Sequence, residues 1–240
     1  MKFLFYIFLS IIPQTIYSQL NAICVYKISP VEENFEIKKN DDETVKNTKL
    51  LLIKAFQVAQ DFEYVLKFNQ IESISHIDES MINEGIKNKS LYPIAEAMVG
   101  KGIYYQNMET KIKLRQVETM GSLFLINDAM IYNWKITNER KKIGDYNCIK
   151  AVKDCNSCDM PDEVWFTTDI PVPFGPLGYS GLPGLIIEVK RNGSVLQLKK
   201  ITYTKEKVKI NKPVKGKEIT MDVYNEMIST SRLNAKKFEN

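Results

Sequence analysis

The chain has 240 residues and carries 33 lysines and arginines against 29 acids, a formal net charge of +4. These basic residues are spread without an arginine-rich face, which removes nucleic acid from the expected partners. A single histidine, His76, leaves zinc hydrolysis without its usual ligands.

Met1 to Ser18 reads as a secretory signal peptide, with Lys2 as its basic start, Phe3 to Ile12 as its apolar stretch and cleavage after Ser18. The apolar stretch is shorter than the roughly 20 residues a spanning helix needs. Residues 19–240 are then expected to form one β-rich domain, exported to the periplasm or the outer membrane, with no linker dividing it.

Ala22 to Ile28 suits a first strand. Asn40 stands at capping-box spacing before Glu43, and Val45, Thr48, Leu52, Ala55, Ala59 and Phe62 recur at steps of three and four, which predicts a helix from about Asp42 to Gln60 with those residues inward. Phe62, Tyr64, Leu66 and Phe68 alternate with polar partners and open a strand, and Ile71 to Ile77 continues extended. Glu79 to Gly102 reads as a short helix and an irregular connection. Ile103 to Gln106, Ile112 to Val117 and Leu123 to Ile126 follow as strands separated by Gly, Asn or Met-Gly turns.

Trp134 to Ile143 and Tyr146 to Val152 flank Gly144-Asp145, where glycine at the first central position suits a type II′ hairpin. Both tryptophans, Trp134 and Trp165, fall in strands and are expected to fill the core. Val164 to Thr168 adds another strand. Between Pro171 and Gly184 lie eight of the chain's twenty glycines and prolines, a density that fixes one backbone path. Pro183 and Gly184 are placed at the centre of a type II turn from Leu182 to Leu185.

Asn192-Gly193 predicts a type I′ hairpin that sets Arg191 opposite Ser194, Val189 opposite Leu196 and Ile187 opposite Leu198. Leu185, Ile187 and Val189 then share an apolar face, with Glu188 and Gln197 on the other. The basic run from Lys205 to Lys217 reads as a solvated strand and loop. Thr220 is the expected cap of a C-terminal helix to about Lys236, with Val223, Met227 and Leu233 inward. The whole predicts an α+β protein dominated by an antiparallel, curved, half-barrel-like sheet with one or two packed helices.

Four cysteines in an exported chain, Cys24, Cys148, Cys155 and Cys158, are disulfide candidates, and the spacing favours a local pairing among the last three. Cys155, Cys158 and Met160 also form a soft ligand set of the kind that selects Cu(I). No cofactor is expected. Nucleophilic hydrolysis lacks a motif: Ser75 adjoins His76, but successive strand residues point to opposite faces. Asp154, Asp159, Asp162 and Glu163 crowd one segment and keep open a carboxylate-based hydrolase.

Gly181-Leu182-Pro183-Gly184-Leu185-Ile186 resembles the signature of the GLPGLI family, exported Bacteroidota proteins of unassigned function. Trp165-Phe166, Asp169-Ile170-Pro171 and Gly175-Pro176 extend the resemblance upstream, and the stretch from Trp134 to Ala151 also fits. The resemblance implies membership and export but no chemistry. The sequence reading is therefore a non-enzymatic binding or accessory protein of the cell envelope. Phe174, Leu177, Tyr179 and Leu182 are its expected contact surface for a protein partner or an apolar ligand, with a hydrolase or a copper-handling protein as alternatives.

Overall fold

A computed structural model describes residues 20–31, 35–82, 85, 90–130, 133–154, 162–191 and 193–237. Its frame is one sheet in which β1 (Asn21–Pro30) lies between two meanders. The first meander is β2 (Tyr64–Phe68), β3 (Glu72–Ile77), β4 (Ile103–Asn107), β5 (Ile112–Thr119) and β6 (Ser122–Asp128). The second is β7 (Trp134–Ile143), β8 (Tyr146–Lys153), β9 (Glu163–Thr167), β10 (Leu185–Arg191) and β11 (Ser194–Thr204). A last short strand, β12 (Lys217–Thr220), pairs in parallel with β6, and every other pairing is antiparallel. The order is β12-β6-β5-β4-β3-β2-β1-β11-β10-β9-β8-β7. Consecutive strands are neighbours within each meander, although β3 and β4 are joined through a helical segment and β9 and β10 through a long loop, and β1 joins the two meanders by pairing with β2 and β11.

The turns follow local chemistry. Gly144 sits at φ +57° while Asp145 keeps a negative φ, as a type II′ hairpin requires, and Ile143 opposes Tyr146. Met120 and Gly121 both have positive φ, +53° and +71°, between Thr119 and its partner Ser122, which is the type I′ pattern. In the β10–β11 hairpin Arg191 opposes Ser194, Val189 opposes Leu196 and Glu188 opposes Gln197. Asn192 lies outside the described residues.

The expected single apolar face of β10 is corrected by a register shift between Ile186 and Glu188. A bulge moves side chains to the other face. Leu185 and Ile187 join the main core, whereas Ile186 and Val189 pack with Ala151, Val164, Phe166 and Leu182. Glu188 is buried, and its carboxylate accepts from Lys141 Nζ at 2.7 Å and from Gln197 Nε2 at 2.9 Å.

Helix α1 (Glu43–Ala59) is capped by Asp42, whose Oδ1 accepts from the Val45 amide at 2.8 Å. The cap is therefore Asp42 and not Asn40, a carboxylate that also suits the positive N-terminal end. Only its last turns are buried, through Ala55, Phe56, Val58 and Ala59, and Val45 is exposed against expectation. Helix α2 (Tyr92–Val99) packs beside α1. Helix α3 (Met221–Lys237) starts at Thr220, whose Oγ1 accepts from Val223. It docks on Val117, Phe124 and Ile126 through Tyr224, Met227 and Ile228, while Val223 is exposed and the Leu233 side chain lies outside the described residues. Residues 207–215 form no strand.

Candidate functional site

Between β9 and β10, neighbours in the second meander, the chain runs through the proline- and glycine-rich corner, which reaches over to the first meander at Phe68 and Tyr104 and returns. The Leu185 amide donates to Ile170 O at 2.9 Å, Ile186 to Phe174 O at 2.9 Å and Gly181 to Pro173 O at 3.1 Å. Each of these bonds closes the loop on itself. Phe174, Leu177 and Leu182 are buried, and Phe174 packs on Phe68 of β2 with ring centroids 6.2 Å apart. The apolar side chains of the corner thus face inward, Phe174 and Leu177 into the main core and Leu182 onto Ala151, Val164 and Phe166 of β8 and β9. Tyr179 alone among the four is half-buried.

Glycines here are required mainly for space. A Cβ on Gly184 would lie 2.0 Å from Thr167 O, and one on Gly175 would lie 2.7 Å from Ile186 Cβ. Gly184 does not have a positive φ, so the type II turn at Pro183-Gly184 is also corrected, and close backbone approach explains the residue instead. Positive φ occurs nearby at Leu177 (+59°), Gly178 (+71°) and Gly181 (+89°). Leu177 holds it with its amide donating to Tyr64 OH at 3.2 Å and its side chain against Gly100.

That reversal aims Tyr179 into a cavity of about 260 Å³. The cavity is built from strand ends of both meanders: Tyr104 from β4, Lys113 and Arg115 from β5, Trp134 from the start of β7, Lys153 from the end of β8, and Arg191 from the end of β10. Asp162 precedes β9 and Asp128 ends β6. Tyr179 OH donates to Asp162 Oδ2 at 2.6 Å, with the Arg191 guanidinium beside it. Burial pushes the Tyr179 phenol up, opposed by the Arg191 guanidinium. Trp134 Nε1 donates to Ser180 O at 2.8 Å, and its ring stands 6.0 Å from that of Tyr179. Ser180 Oγ donates to Gln106 Oε1. Lys113 and Asp128 close an ion pair at 2.7 Å.

The other sequence candidates lie elsewhere. Cys24 and Cys148 are free, buried thiols, and burial pushes Cys148 up to about 11. Cys155, Cys158 and Met160, like the signal peptide, lie outside the described residues. His76 is half-buried with Nδ1 2.9 Å from Ile77 O, while Ser75 is buried against Tyr64 OH. Trp165 is in the core, with Lys141 Nζ 4.3 Å from its ring centroid, and Trp134 is half-buried at the cavity. Glu163 pairs with Lys150, and Asp154 is exposed. The remaining signature residues Pro171 and Pro183 are exposed, and Pro176 is buried. Of the acid cluster in the sequence, the structure brings Asp162 to the cavity, and Asp159 lies outside the described residues. Tyr104, Lys153 and Arg191 carry no motif, and Tyr179 was read as an apolar contact.

A family model described as "N-glycanase peptide, N-terminal domain" matches residues 69–226. Among solved structures, PNGF-II in the P21 space group aligns with a TM-score of 0.52 and 20% identity, over 89% of this chain and 34% of that one. PNGF-II in the C2 space group aligns with a TM-score of 0.51 and 19% identity, over 89% and 33%. At such identity the likeness is one of fold. The chain spans about a third of the length of these PNGF-II chains. No curated protein matches.

Proposed function

As the chain belongs to the family of N-glycanase N-terminal domains, we propose that it is an exported, non-enzymatic binding or accessory protein of the cell envelope, and that its contact site is the cavity which the corner supports. The observation that carries this reading is the Tyr179, Asp162 and Arg191 network set in a cavity of about 260 Å³ with aromatic walls. Preformed cavities with few fixed polar groups suit ligand binding. This one is below the roughly 300–1,000 Å³ of drug-sized pockets, so it suits a single ring-sized group of a larger ligand. Export rests on residues 1–18, and kinship with the GLPGLI proteins on Gly181 to Ile186.

A curved, half-barrel form of the sheet belongs to the same proposal. Strands β4 and β9 stand six places apart, about 29 Å on a flat sheet. The corner nonetheless approaches Tyr104 at Gly178 and Thr167 at Gly184, which supports a sheet bent around it.

The family description makes an N-glycan-bearing peptide the first ligand to test. Titration of the isotope-labelled chain with an N-glycopeptide is expected to shift amides around Tyr179 and Arg191, and Tyr179→Phe to weaken binding several-fold. Equal responses to the glycosylated and deglycosylated peptides would overturn the glycan reading. A second reading, a hydrolase, is favoured by one observation, the presence of Asp128 and Asp162 in the same cavity. Both carboxylates already accept from Lys113 and Tyr179, an arrangement suited to holding side chains in place. Glycan release from the same glycopeptide, abolished in Asp162→Asn, would support the hydrolase instead.

A further inference from the structure

The charge balance of the cavity favours one class of ligand. Four cations line it, Lys113, Arg115, Lys153 and Arg191, against the two carboxylates Asp128 and Asp162. Lys113 is neutralised by Asp128 at 2.7 Å, and Arg191 shares Tyr179 and Asp162. Among the described residues neither Arg115 nor Lys153 has a carboxylate within 4.0 Å. Arg115 sits between the rings of Tyr104 and Tyr224, at 5.1 and 5.5 Å from their centroids, and donates to the Lys101 carbonyl at 3.1 Å. Its Nε is buried with no hydrogen-bond partner among the described residues. Neutral oxygens and aromatic faces hold a guanidinium in place without cancelling its charge.

We propose that the cavity takes an anionic sugar ring, one bearing a carboxylate, as a deepening of the binding function above and resting on it. The carboxylate is met by Arg191 and Lys153, with the charge of Arg115 behind them. A guanidinium has five donors in a planar fork matched to carboxylate oxygens. The body of the ring lies against Trp134 and Tyr179, whose rings meet at 48° and form a corner for its apolar face. A cleft with surplus charge of one sign and low-dielectric walls concentrates ligands of the other sign.

The test is calorimetric titration of the full chain with glucuronate and with glucose, which share a ring and differ in the carboxylate. Glucuronate is expected to bind at least tenfold more tightly, with most of that difference lost in Lys153→Gln and in 0.5 M salt, as screening of a partly open site requires. Lys153 is exposed, so its replacement leaves the fold intact. Equal affinity for the two sugars overturns the anionic preference and leaves the binding function standing. If neither sugar binds but the N-glycopeptide does, the inference fails alone; if none of the three binds, both fail.

Discussion

Replacing Gly184 with alanine is the most direct probe of the corner. The added methyl carbon would lie 2.0 Å from Thr167 O, 2.6 Å from Thr167 C and 3.1 Å from Thr168 N. A carbon stands about 3.3–3.6 Å from a carbonyl oxygen even in a favourable contact, so the two backbones must part by roughly 1.3 Å. They are not free to do so. Leu185 pairs with Thr167, its amide donates to Ile170 O, and Leu182, Leu185 and Ile186 are buried on either side. Overpacking of this kind costs about 1–3 kcal/mol, and obstruction by backbone puts Gly184→Ala near 3. In a chain of this size each kcal/mol lowers Tm by about 2–4 °C, so thermal unfolding followed by circular dichroism should occur roughly 6–12 °C lower. Because the cause is space and not φ, Gly184→Asn should be no better, although asparagine tolerates the left-handed region. Gly121, at φ +71° with nothing within 4 Å of a built Cβ, should accept asparagine within about 1 kcal/mol. A Gly184→Ala protein melting within about 2 °C of the parent would refute the close approach.

Phe174→Ala should cost about 3–5 kcal/mol in urea denaturation, since the ring is fully buried; a surface-contact role would leave stability unchanged. Met120→Asn should stabilise the chain by several tenths to about 1 kcal/mol, because it puts the preferred Asn-Gly pair into the type I′ turn where Met120 now holds φ +53°. Tyr26→Phe removes the donor that meets Ile186 O at 2.6 Å beside the β10 bulge and should cost about 1–3 kcal/mol by the same assay. The Cys148 thiol, raised by burial from 9.0 to about 11, contributes stability that is fully present below pH 9 and lost as pH rises through 11. Denaturation at pH 8, 9.5 and 10.5 should show stability falling over that window, less steeply in Cys148→Ala.

Elements whose cause is local were legible in the sequence. Alternation at Tyr64, Leu66 and Phe68 marks a buried strand, Gly144-Asp145 carries its turn type in its residues, and Met120-Gly121 marks a turn without fixing its type. The limits of the reading fall where distant chain decides. The bulge at Ile187 is set by pairing with β9 and splits a face that period-2 logic keeps whole. Likewise the burial of Phe174 depends on Phe68, more than a hundred residues earlier in the chain. A run of proline and glycine announces a fixed path, yet which side of that path meets the core is a tertiary fact. The cavity was illegible for the same reason, because Tyr104, Trp134, Asp162 and Arg191 come from four strand ends and share no spacing.

The corner and the cavity are parts of one construction. Two successive residues, Leu177 and Gly178, adopt the left-handed region, and for leucine that conformation costs about 1–2 kcal/mol. Burying the Leu177 side chain contributes roughly 1.5–3 kcal/mol, and the bond from its amide to Tyr64 OH adds to that, so the strain is offset where it arises. The consequence falls on the next side chain. Gly178 lets the backbone close on Tyr104, where a Cβ would stand 3.1 Å from the ring, and the chain then leaves in the direction that delivers Tyr179 to Asp162 and Arg191. A less constrained loop would bury the same apolar area but leave the phenol to sample many positions, each costing ordering entropy when a ligand arrives. On the proposed function, the density of proline and glycine around Tyr179 would act on binding indirectly, by fixing in advance a polar side chain of the corner that faces the cavity.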